Sequence, residues 1–330
     1  MKQIVWGTLL LALLTSAALV LLLFAPAPVQ AQSADACYAV ADNGGPFGNE
    51  DALVTLDRVT GDTTLIGYTG TMAVEAIAFA PGGGNLYAAN NGQLGILNLG
   101  TGVFTALPST FGSGSGANGT VTFNDVDGLT YDASNGIFYG THRVDGVASD
   151  LLIQIDRTTG AYVPDAFGAG IDYVPIEGPG LLGDIDDIAV DPLTGVMFAT
   201  SNLDGDGGVL VTLNKETGAA TLVGELGVDD IEGLAYFNDG VLYGSTGKDG
   251  RDATTRNQLY SISETTAAAT FVAAFDDFQD YEALDCLTGP TSVALAGVTV
   301  TGAPTISALL IVALLGLTAL TLWALRRRAF

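Results

Sequence analysis

The sequence predicts an all-β protein built from five repeated four-stranded units, with an apolar segment at each end. Three observations carry that reading. First, one six-residue stretch recurs five times: Val74-Glu75-Ala76-Ile77-Ala78-Phe79, Val126-Asp127-Gly128-Leu129-Thr130-Tyr131, Ile185-Asp186-Asp187-Ile188-Ala189-Val190, Ile231-Glu232-Gly233-Leu234-Ala235-Tyr236 and Tyr281-Glu282-Ala283-Leu284-Asp285-Cys286. Second, an Asp- or Asn-led turn recurs between the copies, as in Leu56-Asp57-Arg58-Val59-Thr60-Gly61 and Leu213-Asn214-Lys215-Glu216-Thr217-Gly218. Third, uncharged apolar runs cover residues 4–24 and 306–325.

At the N-terminus, Lys2 precedes the apolar run and Ala25-Pro26-Ala27-Pro28-Val29-Gln30-Ala31 follows it. That order of a basic start, an apolar stretch and small residues predicts a secretory signal peptide over 1–31, cut after Ala31. An uncleaved anchor is the competing reading, since the run is long enough to span. At the other end, 288–305 reads as a linker and 306–325 as a transmembrane helix. Arg326-Arg327-Arg328 predicts a cytoplasmic tail over 326–330, so the body of the protein lies outside the cell, anchored at its surface.

The tail, with Ala303-Pro304-Thr305-Ile306-Ser307 before the span and the arginines after it, resembles bacterial sorting signals of the PEP-CTERM and IPTL-CTERM kind. It departs from the IPTL pattern at Ala303 and lacks the Glu-Trp that usually follows. The resemblance implies a sorting protease as a partner; a permanent anchor is the alternative.

Between the ends, each six-residue stretch is followed by a hairpin turn and an aromatic-tipped strand, such as Leu86-Tyr87 or Leu242-Tyr243. A third strand, the Asp/Asn turn and a fourth strand complete the unit. Four short strands (A to D) repeating about every 50 residues are the signature of a β-propeller. The resemblance to propeller repeat proteins covers residues 37–286, without tryptophan-aspartate or kelch motifs. The blades are expected at 281–286 with 37–67, then 73–107, 126–166, 185–224 and 231–273, within a domain over 32–287. The first segment lacks strand A and the last supplies only strand A, so the ring closes by joining N- and C-terminal strands. Cys37 aligns with Leu86, Phe138, Met197 and Leu242 on strand B, and Cys286 with Tyr131 and Tyr236 on strand A. The two cysteines should therefore be cross-strand neighbours, and a disulfide there replaces the missing A–B turn in an oxidising compartment.

All 36 acids fall in this domain, and its seven basic residues leave it at −29. Such charge repels nucleic acid and favours cations. The acid of each repeated stretch begins strand A, which lines the central channel. Glu75, Asp127, Asp186, Glu232 and Glu282 should thus ring one channel mouth, with Asp125, Asp184, Asp187, Asp229 and Asp230 nearby. Clustered carboxylates raise one another's pKa unless a cation compensates, and hard oxygen ligands suit Ca²⁺ best. Two readings of the ring stand side by side: a cation site, or acids that cap backbone N–H groups of the neighbouring blade. Asn202, Asp204 and Asp206 match the first half of a calcium loop, but Leu213 stands where the bidentate Glu would be; a plain Asp/Gly turn fits at least as well.

The irregular connections 108–125 and 164–184, and the unequal B–C loops, lie on the same face, where binding usually resides. His142 is the only histidine, so no histidine metal cluster exists, and no Gly-x-Ser-x-Gly elbow appears. The expectation is a binding protein rather than an enzyme, with a glycan, peptide or surface protein as ligand. A carboxylate-dependent, glycosidase-like hydrolase is the alternative by fold analogy, and a passive surface-coat subunit is a third. The aromatics ending strand B (Tyr38, Tyr87, Tyr139, Phe198, Tyr243) are expected to pack blade against blade.

Overall fold

A computed structural model describes residues 36–42, 50–80, 84–144, 149–181, 184–202, 207–248 and 252–287. The expected signal peptide, linker, transmembrane helix and Arg-rich tail lie outside these residues, as do Asp204 and Asp206. The chain divides into a unit of residues 1–289, which holds all the described residues, and a unit of 290–330. No helix among the described residues is long and apolar enough to cross a membrane.

Five separate four-stranded sheets form the blades, each antiparallel throughout. With strands numbered in chain order, the first blade joins β1 (Cys37–Ala41), β2 (Ala52–Leu56) and β3 (Thr63–Tyr68) to β22 (Tyr281–Cys286). The second holds β4 (Val74–Phe79), β5 (Leu86–Asn90), β6 (Gln93–Leu97) and β7 (Phe104–Ala106). A two-stranded hairpin follows, β8 (Ser113–Gly116) and β9 (Gly119–Thr122). The third blade holds β10 (Val126–Asp132), β11 (Ile137–His142), β12 (Leu151–Ile155) and β13 (Tyr173–Pro175). The fourth holds β14 (Asp184–Val190), β15 (Met197–Asn202), β16 (Val209–Leu213) and β17 (Ala220–Glu225). The fifth holds β18 (Ile231–Tyr236), β19 (Leu242–Thr246), β20 (Gln258–Ile262) and β21 (Ala269–Ala274). The five innermost strands β4, β10, β14, β18 and β22 neighbour one another in a closed ring.

Burial falls from the channel outward and explains the strand sequences. β1 and β19 are buried at every position and read as continuous small and apolar runs. The outermost β3, β17 and β21 are partly exposed and carry Thr or Glu among their apolar residues. No sheet continues into the next, so the blades are held mainly by side chains, with a few backbone bonds between neighbours such as Phe104 N–H to Thr69 C=O. Five apolar clusters fill the five blade-to-blade contacts. Each contains one of the strand-B aromatics: Tyr38, Tyr87, Tyr139, Phe198 and Tyr243. Tyr87 meets Phe138 of the next blade edge-on, with ring centroids 5.2 Å apart, a geometry worth about 1 kcal/mol beyond burial.

The Asp/Asn turns work as local chemistry dictates. Asp57 Oδ1 accepts from the backbone N–H groups of Val59 and Thr60, and Asn214 Oδ1 from those of Glu216 and Thr217. Their closing glycines take positive φ, 72° at Gly218. A Cβ there would also stand 2.2 Å from the carbonyl oxygen of Pro175 in the preceding blade.

Two stretches depart from the expectation. The third blade does not close with a strand ending at 166. Tyr162 bridges to Ile155, then the chain leaves the sheet and returns as β13 to pair with Leu151–Ile153. Pro164 explains the break, because it has no N–H to continue the ladder. The region 108–125 is not merely a loop. Its Ser-Gly-Ser-Gly and Gly-Thr-Val-Thr halves pair as β8 and β9, with Ser113 and Ser115 bonded to Thr122 and Thr120 on the outer side. The inner side needs glycine, since a Cβ at Gly116 would meet the Tyr173 ring at 2.8 Å. Tyr173 then fastens the hairpin, accepting from Asn118 N–H and donating to Gly119 C=O, both at 3.0 Å.

At the seam, β22 lies beside β1 with Cys286 opposite Cys37. The two form a disulfide, their Cα atoms 4.0 Å apart. The aligned pair in the fifth blade, Tyr236 and Leu242, is also directly opposed.

Candidate functional site

Each innermost strand slips register at its acid. The break falls between Val74 and Ala76, Val126 and Gly128, Ile185 and Ile188, Ile231 and Gly233, and close to Glu282 in the seam blade. Every one of the five acids is thus the extra residue of a β-bulge, a device that releases a residue from the ladder and re-aims its side chain. The bulges bring the acids together at the end of the channel served by the D–A and B–C connections. Glu75 is influenced by Asp127 and Glu282, and Glu232 by Asp186 and Glu282.

The ring does not gather into a single five-ligand site. It resolves into two groups whose carboxylate oxygens lie within 4.8 Å of one another: Glu75 with Asp125 and Asp127, and Glu282 with Asp42 and Asp280. Asp186 and Glu232 belong to neither. Burial, reinforced by Glu75, pushes Asp127 up to about 9. Burial and then Asp280 push Glu282 up to about 9. Burial, followed by Asp186, Glu282 and Asp230, drives Glu232 well above the carboxylate range. Asp127 is 5% exposed. Its Oδ1 and Glu75 Oε2 are enclosed with no hydrogen-bond donor. Two enclosed oxygens of like charge call for a shared proton or a cation.

Two internal cations stand beside these groups. Arg143, just past the end of β11, reaches across the mouth. Its Nε lies 2.8 Å from Asp184 Oδ1 and 3.0 Å from Asp127 Oδ2, and its Nη2 lies 2.5 Å from Asp184 Oδ2 and 3.7 Å from Asp186 Oδ1. The forked guanidinium matches Asp184 in a bidentate pair. Lys248 ion-pairs with Asp280 and donates its backbone N–H to the same side chain. Asn202 is the last residue of β15; its amide bonds to Asp186 and to the Ile231 carbonyl.

The capping role is also present, but on other acids. Asp51 and Asp150 accept an N–H from the start of the next blade's inner strand, Val74 at 2.8 Å and Ile185 at 2.7 Å. Deeper in the channel, Asp187 accepts from Leu129, Ile188 and Leu234, and so ties three blades. Asp285 accepts from Phe79 and Cys286, and so ties the seam blade to the second. The inner strands expose a free edge to the channel, and buried N–H groups must find acceptors. Asp187→Asn is expected to cost about 2 kcal/mol, because an amide has one acceptor oxygen for three donors; urea unfolding measures it.

His142 lies in the wall of the third blade, beneath the acidic mouth. It is 2% exposed, ends β11, contacts the Asp125 carbonyl through Nδ1 at 2.5 Å and meets Phe123 edge-on. Burial lowers its pKa.

No family model matches the chain, and no curated protein matches it. Among solved structures, a chain of a nidogen/laminin complex shares 10% identity over 76% of this chain and 98% of its own, with a TM-score of 0.45. A Bacteroides fragilis protein provisionally described as a 6-phosphogluconolactonase shares 10% identity over 79% of this chain and 99% of its own, with a TM-score of 0.42.

Proposed function

We propose that the protein is an exported, membrane-tethered propeller that binds a divalent cation, Ca²⁺ by the hardness of its ligands, at the acidic mouth, and through that face an extracellular glycan, peptide or protein. The observation that carries the reading is the Glu75–Asp125–Asp127 group, in which Glu75 Oε2 and Asp127 Oδ1 are enclosed without donors. Six to eight oxygens serve Ca²⁺, so three carboxylates leave room for waters or a ligand's hydroxyls. The disulfide fits an oxidising compartment. Calorimetric titration with Ca²⁺, repeated with Mg²⁺ and with chelator, is the test. Glu75→Gln should weaken Ca²⁺ about tenfold, and Arg143→Gln should tighten it by a similar factor, since one removes a ligand charge and the other a competing cation. No heat of binding at neutral pH would remove the reading.

A second reading, a carboxylate-dependent hydrolase, draws support from unequal neighbours. Glu232 is raised by burial and by Asp186, Glu282 and Asp230, whereas Asp186 has Arg143 and Asn202 at hand. A glycoside panel on the intact protein and on Glu232→Gln decides it: turnover lost in the variant supports it, and no turnover by the intact protein ends it.

A further inference from the structure

The opposite end of the channel has a different chemistry. Its wall is made of the last residues of the five inner strands, among them Phe79, Tyr131, Val190 and Tyr236. They enclose a cavity of about 70 Å³ that opens on the face of the A–B turns. One carboxylate stands in it, Asp285. The corresponding positions of the other four copies are Ala78, Thr130, Ala189 and Ala235. The fold therefore asks for a small residue there, and the acid is a departure whose two backbone bonds use only half of its acceptor capacity.

Asp285 lies deep among its neighbours yet keeps part of its surface open to the channel. Each of its oxygens accepts one backbone N–H, from Phe79 at 2.5 Å and Cys286 at 2.7 Å. A carboxylate offers about four acceptor positions, so each oxygen has one left. Among the described residues no Lys or Arg forms an ion pair with it. Besides the rim tyrosines, the other polar side chain in the wall is Thr130, whose hydroxyl accepts from Val190 N–H.

We infer that this funnel is a second binding site, for the protonated head of a primary alkylamine, with Asp285 as its counter-ion and the aromatic rim covering its methylenes. The inference is independent of the metal reading. Anions are excluded by the charge. A divalent metal is excluded by the donor set, since it needs six or more oxygens and finds one carboxylate and a few hydroxyls. An ammonium has three donors, enough for the free position on each Asp285 oxygen, and its stem gains from apolar contact and from ring faces. The size fits: about 70 Å³ is room for an ammonium head, and the open mouth lets the methylene stem run out along the aromatic rim.

A free alkylamine and a lysine side chain share this head. The probes are therefore n-butylammonium and Nα-acetyl-lysine methylamide, titrated against the full chain and followed by calorimetry, with 1-butanol as the uncharged control. One or both should bind with a dissociation constant on the order of 1 mM, the range open to so few atoms; the tighter probe identifies the source. Asp285→Asn should lose at least tenfold and 1-butanol should bind at least tenfold more weakly. Because Asp285→Asn disturbs two backbone bonds, Ala133→Trp, at an exposed position of the funnel wall, serves as the second variant. It fills the funnel, leaves the carboxylate in place, and should abolish amine binding while the Ca²⁺ response of the far mouth is unchanged. Butanol binding as well as the amines, full binding by either variant, or no binding of either probe at about 50 mM overturns the inference.

Discussion

Replacing Cys37 and Cys286 by serine is expected to lower the stability of the propeller by about 2–5 kcal/mol, with the loss concentrated at the seam. In four blades the inner strand is joined to its neighbour by a covalent turn of a few residues. In the seam blade β1 and β22 come from opposite ends of the domain, 249 residues apart in sequence. Bringing those ends together costs chain entropy that grows with the logarithm of the loop, and the covalent bond removes that cost from the unfolded chain. The chain-entropy relation gives about 5 kcal/mol for a loop of this size, an upper figure because the unfolded state retains structure. The five paired positions between β1 and β22 survive the substitution. So do the apolar cluster around Phe237, Tyr243 and Tyr281 and the Asp285 bonds to Phe79 and Cys286. The variant should therefore fold but open first at β22. Urea unfolding should show a lower midpoint, and hydrogen exchange should show faster amides in β22 and β1 than in β14 and β15. Equal exchange in the two places would mean that packing alone closes the ring.

That seam was legible because it rests on covalent order. Counting strands per repeat leaves one inner strand spare at the C-terminus and one missing at the N-terminus, and the two cysteines fall on the vacant positions. The strand-B aromatics were legible for a related reason: a residue repeated once per blade answers a demand repeated once per blade, and all five fill blade contacts. The same logic located the ring acids but misjudged their geometry. Period alone does not reveal that each acid is a bulge, nor that the ring divides into two groups. What breaks the period was hardest to read. Arg143 has no counterpart in the other blades, and its partners Asp127, Asp184 and Asp186 come from two inner strands that only the fold brings within reach. Asp187 and Asp285 were visible as departures from small residues, at positions held elsewhere by Ala76, Gly128, Gly233 and Ala283, and by Ala78, Thr130, Ala189 and Ala235. Reading them needed the knowledge that inner strands leave N–H groups unpaired along the channel. Pro164 was the available sign that the third blade could not close as the others do.

The cation-free protein is expected to lose stability as pH rises from about 5 to 9, the reverse of ordinary acid denaturation, and Ca²⁺ is expected to cancel most of that loss. The sign follows from linkage. A carboxyl group whose folded pKa lies above its unfolded value keeps its proton in the folded state after the unfolded chain has released it; stability then falls with pH across the interval between the two values. Burial places Asp150 and Asp285 at about 7, Asp51 at about 8, and Asp127 and Glu282 at about 9, against unfolded values near 4. A single group moved by three pH units would contribute about 4 kcal/mol. These groups share protons with their neighbours, and Arg143 and Lys248 offset part of the repulsion, so the sum is far from additive. A fall on the order of 3 kcal/mol between pH 5 and 8 is expected. A divalent cation competes with those protons. It should add little at pH 5, where the oxygens of Glu75 and Asp127 share hydrogen, and most at pH 8, where its binding must displace protons. Thermal unfolding across that range, with Ca²⁺ and with chelator, separates the two readings of the acidic mouth. A fall with pH that Ca²⁺ reverses, accompanied by proton release on binding, belongs to a metal site. The same fall untouched by Ca²⁺ or Mg²⁺ would mean that the enclosed oxygens are satisfied by protons, and that the ring serves the fold.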